Sequence, residues 1–117
     1  MADAELEASP ICADHVLEGA PFARAKLLGE SGDGGASFGV WTCTPGRFRW
    51  YFAADETVHI LEGEVTVRVN DEERPLTAGS VAFFPIGTWS EWTVTRYVRK
   101  IFFLRHPSPY LKRALND

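Results

Sequence analysis

The chain of 117 residues is poor in the side chains that most often carry metal and thiol chemistry: it has three His, two Cys and one Met. Cys12 and Cys43 stand far apart, with no CxxC and no Cys/His spacing of a zinc module. Two reduced, inert thiols are expected, the alternative being a bridge that ties the N-terminal arm to the body of the domain. No run of Lys or Arg occurs, and the net charge is −4 with a pI near 5.3. That balance argues against nucleic acid or an anionic membrane as the main partner. No apolar stretch approaches the length of a membrane span. The opening MADAELEASPICADH is acidic and lacks a basic region followed by a long apolar run, so no secretory leader is expected and the expected location is cytoplasmic. The Gly-rich ESGDGGAS (residues 30–37) has neither the Lys-Ser/Thr of a phosphate loop nor a following dinucleotide-binding unit, and reads as a surface turn. No Ser or Cys has a His placed to make it a nucleophile.

What is present is a succession of short β-prone segments. FGVWTC (38–43), RFRWYF (47–52), ETVHIL (56–61), EVTVRV (64–69), SVAFF (80–84), WSEWTVT (89–95) and VRKIFFL (98–104) are separated by Gly, Pro, Asn and Asp. The segment at 23–29, ARAKLLG, reads as a strand or one helical turn, and 1–20 as an arm holding at most one short strand. Pro107 to Leu115 reads as a short helix with Ser108 as N-cap and Pro109 at the first position. No helix alternates with the strands, so an all-β sandwich or barrel in one domain is expected. Aromatics make up 13% of the chain and four are Trp, more than strand alternation puts on one face. Half of them are expected to point outward, which suggests a covered subunit interface and a homodimer.

Two stretches carry a family resemblance. In WYFAADETVHILEG (Trp50–Gly63), Glu56 and Gly63 are separated by six residues. In GSVAFFPIG (Gly79–Gly87), Gly79 is followed at the proper spacings by Pro85 and Gly87. These five positions match the two signature motifs of the cupins. ETVHILEGEVTV, GSVAFFPIGTWSEWTV and VRKIFF resemble, more narrowly, the small single-domain cupins related to (S)-ureidoglycine aminohydrolase and the EutQ-type proteins. The resemblance covers roughly residues 38–104 and implies a jelly-roll β-barrel, usually dimeric.

The resemblance also implies where a metal would be held, and this chain departs from it there. The two His of the first motif fall at Arg49 and Tyr51 with one permitted spacing, or at Trp50 and Phe52 with the other. The His of the second motif falls at Ser90 and its Asn at Val94. Only Glu56 of four expected ligands remains, whereas a catalytic metal commonly takes three or more. No cofactor is therefore expected; a divalent metal would need Glu56 together with His59. Strand alternation places His59 on the opposite face from Glu56.

In the cupin register Arg49, Tyr51, Glu56, Ser90 and Trp92 are expected to line the mouth and interior. Arg49, Trp50, Ser90, Trp92 and Phe84 are the expected substrate-binding residues, with Arg49 clamping a carboxylate or phosphate. Glu56, desolvated against Trp50, Trp92 and Phe84, is the expected general acid/base, and Tyr51 the donor to a developing oxyanion. A buried Arg49–Glu56 pair is the alternative use of those charges. Lys100 is expected to be a solvated strand lysine. The functional expectation is a metal-free cupin pocket that binds or transforms a small polar or anionic metabolite. The alternatives are a metal-dependent, ureidoglycine aminohydrolase-like enzyme and a non-catalytic, dimeric, ligand-sensing or structural barrel.

Overall fold

Alternation of apolar and polar residues dominates this chain, and the structure is accordingly built of antiparallel strands. It is a computed structural model that describes residues 5–107. The helix expected over 107–115 lies, but for Pro107, outside the described residues. Among the described residues nine strands follow in order: β1 (Glu7–Ala8), β2 (Val16–Gly19), β3 (Ala23–Glu30), β4 (Ala36–Cys43), β5 (Gly46–Tyr51), β6 (Asp55–Val69), β7 (Glu72–Thr77), β8 (Val81–Phe84) and β9 (Trp89–Arg105). A 3-10 turn, Ala13–His15, precedes β2. Among the described residues no helix is long and apolar enough to cross a membrane.

Two long strands organise the rest. β6 and β9 pair along their whole lengths and bend together, so the sheet curls into two facing leaves. One leaf runs β1-β3-β4-β9-β6-β8 through residues 98–105 of β9 and 55–60 of β6. The other runs β2-β5-β9-β6-β7 through residues 89–94 of β9 and 64–69 of β6. The all-β expectation holds, with β6 and β9 each replacing two expected strands.

The bend explains that difference. Glu62–Gly63 reads as a turn, yet the chain continues as strand through register shifts between Ile60 and Glu62 and between Gly63 and Val65. Gly63 has φ 79°, and a Cβ there would collide with the carbonyl of Tyr97. Only Gly lets the two strands cross so closely. Across the bend β9 keeps even-numbered residues inside: Ser90, Trp92, Val94, Val98 and Lys100. β6 switches parity, from Glu56, Val58 and Ile60 to Val65 and Val67.

The core between the leaves is aromatic and β-branched. Phe52 and Phe84 stack with centroids 4.5 Å apart, and Phe48 lies nearly parallel to Trp92 at 6.4 Å. β7 contains Pro75, which is tolerated because β7 pairs only with β6 and needs no second ladder. The N-terminal arm is part of the sheet. Glu7 and Ala8 pair with β3, β2 pairs with β5, and Leu6 and Ile11 are buried.

Candidate functional site

Four inward positions on three neighbouring strands converge below a cavity of about 170 Å³. β6 contributes Glu56, β9 contributes Lys100 and Trp92, and β4 contributes Trp41, each following the inward phase of its strand. Lys100 Nζ donates to Glu56 Oε2 at 2.9 Å, and the two residues are 5% and 7% exposed. The ammonium also lies over two indole rings, 4.7 Å from the centroid of Trp41 and 4.6 Å from that of Trp92. Each face gives the cation a partner that does not require water. Phe48, Trp50, Phe102 and Leu104 complete an apolar wall, with Ser9 of the arm among the lining residues.

The interior is thus charged but internally matched. A buried ion pair carries a desolvation cost on both partners, offset by the short hydrogen bond and here by the indole faces. Beside it, burial pushes the Cys43 thiol from its ordinary value of 9.0 up to about 12, a rise that the Lys100 charge partly opposes. Cys43 is therefore a thiol at neutral pH and not a nucleophile. Cys12 and Cys43 are both free, so no bridge ties down the arm.

The expected site residues divide into three groups. Glu56, Trp50 and Trp92 all line the cavity. Ser90 and Phe84 are buried but do not line it. The Ser90 hydroxyl donates to the Trp50 backbone carbonyl at 3.0 Å and accepts from Trp92 Nε1 at 2.9 Å, so it ties the Trp92 indole to the backbone of β5. Phe84 instead lines a second, wider cleft between the unpaired edges of β7 and β8, together with Val67 and Leu76.

Arg49 and Tyr51 correct the register. Both are exposed on the outer face of β5, because Phe48 and Trp50 take its inward positions. The Arg49 guanidinium lies 4.3 Å over the ring of Trp89, which also contacts Tyr51 and His15. Neither residue reaches Glu56, so the pocket has neither the guanidinium clamp nor the phenol. The expectation of an anionic ligand loses its basis with Arg49. Nor is Arg49 the partner of Glu56: that is Lys100, which is buried and not solvated.

Lys100 is the functional candidate that residue-by-residue reading passes over. A signal for it exists in the even-numbered phase of Trp92, Val94 and Val98, which Lys100 continues. A lysine in VRKIFF is ordinarily read as an exception to such a phase, because Lys is rarely buried without a partner. That partner is on another strand and is invisible to local pattern.

The cupin resemblance implies a metal, and these residues do not fit one. Inward facing puts the first-motif His positions at Trp50 and Phe52, which offer no ligand atom, and the second at Ser90, whose hydroxyl is already engaged. Glu56 has an ammonium 2.9 Å away, which repels a divalent cation. His59 lies on the opposite face of β6, beside Val81 and Ile101 in register. Among the described residues no three His, Cys, Asp or Glu side chains are grouped to hold a metal ion.

The family model of the EutQ-like cupin domain matches residues 30–102. The putative ethanolamine utilization protein Q of Salmonella typhimurium superposes with a TM-score of 0.66 at 28% identity, over 74% of this chain and 71% of that one. A protein of unknown function from Pseudomonas syringae gives a TM-score of 0.77 at 25% identity, over 85% of this chain but only 43% of that one. The EutQ protein of Clostridium difficile shares the fold at 18% identity and a TM-score of 0.66, over 75% of this chain and 66% of that one. No curated protein sequence matches the chain.

Proposed function

This chain belongs to the family of EutQ-like cupin domains, and from that premise we propose that it is a metal-free cupin that binds or transforms a small polar metabolite at the Glu56–Lys100 pair. The observation that carries the reading is the cavity of about 170 Å³ that opens onto that pair. A void of about 150 Å³ suffices for one benzene-sized ring, so the ligand is small. Its flat or apolar part meets Trp41, Phe48, Trp50 and Trp92. Its polar part meets the carboxylate and the ammonium, the mixture of apolar wall and few placed polar groups typical of ligand sites. In a reaction, Glu56 is the group able to take a proton, and Lys100 the group able to stabilise developing negative charge.

The test is a thermal-shift screen of small metabolites on the full chain, followed by two variants. Trp50→Ala should abolish the shift of any hit, and Arg49→Ala on the outer face should leave it unchanged. A hit lost in Arg49→Ala but kept in Trp50→Ala would move the site to the outer face. Elemental analysis of untagged protein is the companion experiment. One equivalent of transition metal per chain would favour the ureidoglycine aminohydrolase-like reading and remove the role assigned to Lys100.

The chain is further proposed to act as a homodimer. On the outer face of one leaf, Phe38, Phe103, Thr57 and Phe83 form a row across four strands, and Val81 and Phe83 are 66% and 60% exposed. A second copy is the occupant this apolar row suits, because a two-fold axis lets the same row cover itself.

A further inference from the structure

The charges in the pocket also bear on which ligand it accepts. Resting on the pocket reading above, we infer that the site selects a neutral, flat group bearing adjacent hydrogen-bond donor and acceptor atoms, of the primary carboxamide or lactam type, over both carboxylates and amines.

The argument starts from the atoms left over in the ion pair. Among the described residues Glu56 Oε2 accepts from Lys100, while Glu56 Oε1 has no hydrogen-bond partner. No sealed side-chain polar atom is without a hydrogen bond among the described residues, so Oε1 is open to the cavity and not walled in. The ammonium spends one N–H on Oε2 and keeps others, for which the rings of Trp41 and Trp92 are weak acceptors. The pocket therefore presents one strong acceptor and one strong donor side by side, with no net charge.

A ligand that satisfies both must offer a donor to Oε1 and an acceptor to Nζ. A carboxylate can accept from Lys100 but sets a second negative charge against Glu56 in a water-poor site. An amine can donate to Glu56 but sets a second positive charge against Lys100. Either repulsion is amplified by the surrounding indoles, which screen charge poorly. A carboxamide meets both atoms without new charge, and its plane suits a slot between aromatic walls. Arg49, exposed on the outer face of β5, adds no cation to this pocket that would shift the balance toward anions.

Three probes of similar size decide it: benzamide, benzoate and benzylamine, titrated calorimetrically into the full chain near neutral pH. Benzamide should bind at least about tenfold more tightly than either charged probe. In Glu56→Gln the Lys100 charge is unmatched, and the order of benzamide and benzoate should reverse. Should benzoate or benzylamine bind best to the natural chain, charge selection is overturned while the ligand pocket stands. Should none of the three bind, the pocket reading falls with it. The comparison on the natural chain decides without the variant, whether or not Glu56→Gln folds.

Discussion

Lys100 and Glu56 lie 44 residues apart in the chain and 2.9 Å apart in the fold, both nearly closed to solvent. They join β9 to β6, the two strands around which both leaves are built. Removing one partner leaves the other charge buried and unmatched, which typically costs about 3–5 kcal/mol. Glu56→Leu or Lys100→Met alone should lower stability by that order in urea unfolding. The double variant should recover most of the loss, since apolar replacement of a whole buried pair is often neutral. Additive losses in the double-mutant cycle would show that the two side chains are not coupled.

The Cys43 thiol, raised to about 12 by burial, makes two expectations. In the native chain a thiol reagent near pH 8 should titrate Cys12 only, and in denaturant both cysteines. The unfolded thiol ionises near its ordinary value while the folded one stays protonated, so above about pH 9 the unfolded state binds fewer protons. Stability should then fall with pH between the two values, and Cys43→Ala should flatten that slope. Rapid labelling of both thiols in native protein would contradict this burial.

Gly63 and Gly79 separate two costs of a side chain. Both have positive φ, 79° and 93°. A Cβ at Gly79 meets nothing within 4 Å, so Gly79→Ala should cost only the backbone strain, about 1–2 kcal/mol. Gly63→Ala adds a collision with the Tyr97 carbonyl and should cost clearly more. Equal midpoints for the two variants in urea would mean that the β6–β9 crossing yields without cost.

The proposed homodimer is tested on the row that includes Phe83, 60% exposed. Phe83→Glu should convert the protein to a monomer in analytical ultracentrifugation, with its melting temperature otherwise little altered unless assembly supports it. A monomer in the natural chain at high micromolar concentration would remove the proposal.

Much of the strand pattern was legible because strand alternation is local. The apolar phase of 56–60, 65–69 and 89–94 can be read from side chains two apart, and the turns from Gly and Pro. β7 was missed because EERPLT is polar and carries a Pro, which an edge strand tolerates and a central one does not. Glu62–Gly63 was misread because a Gly at positive φ serves a turn and a bulge equally well, and only the strand crossing above it decides which.

In the candidate site, the cupin resemblance brought out Glu56, Trp50 and Trp92, which line the cavity. Two cupin spacings differ by one residue, and one residue in a strand reverses the face. The choice between Arg49/Tyr51 and Trp50/Phe52 therefore rested on how β5 docks on β9, where Phe48 and Trp50 outcompete Arg49 and Tyr51 for the interior.

By itself, then, the sequence determined the fold class and the loss of the metal-binding His residues, because alternation and motif spacing are properties of neighbouring positions. Only the tertiary structure decided what replaced them. The burial of Lys100 depends on a carboxylate 44 positions away, on the indole of Trp41 from β4 and on that of Trp92 from its own strand. A buried charge is stable only with its partners, and partners from distant strands meet only when the sheet has curled.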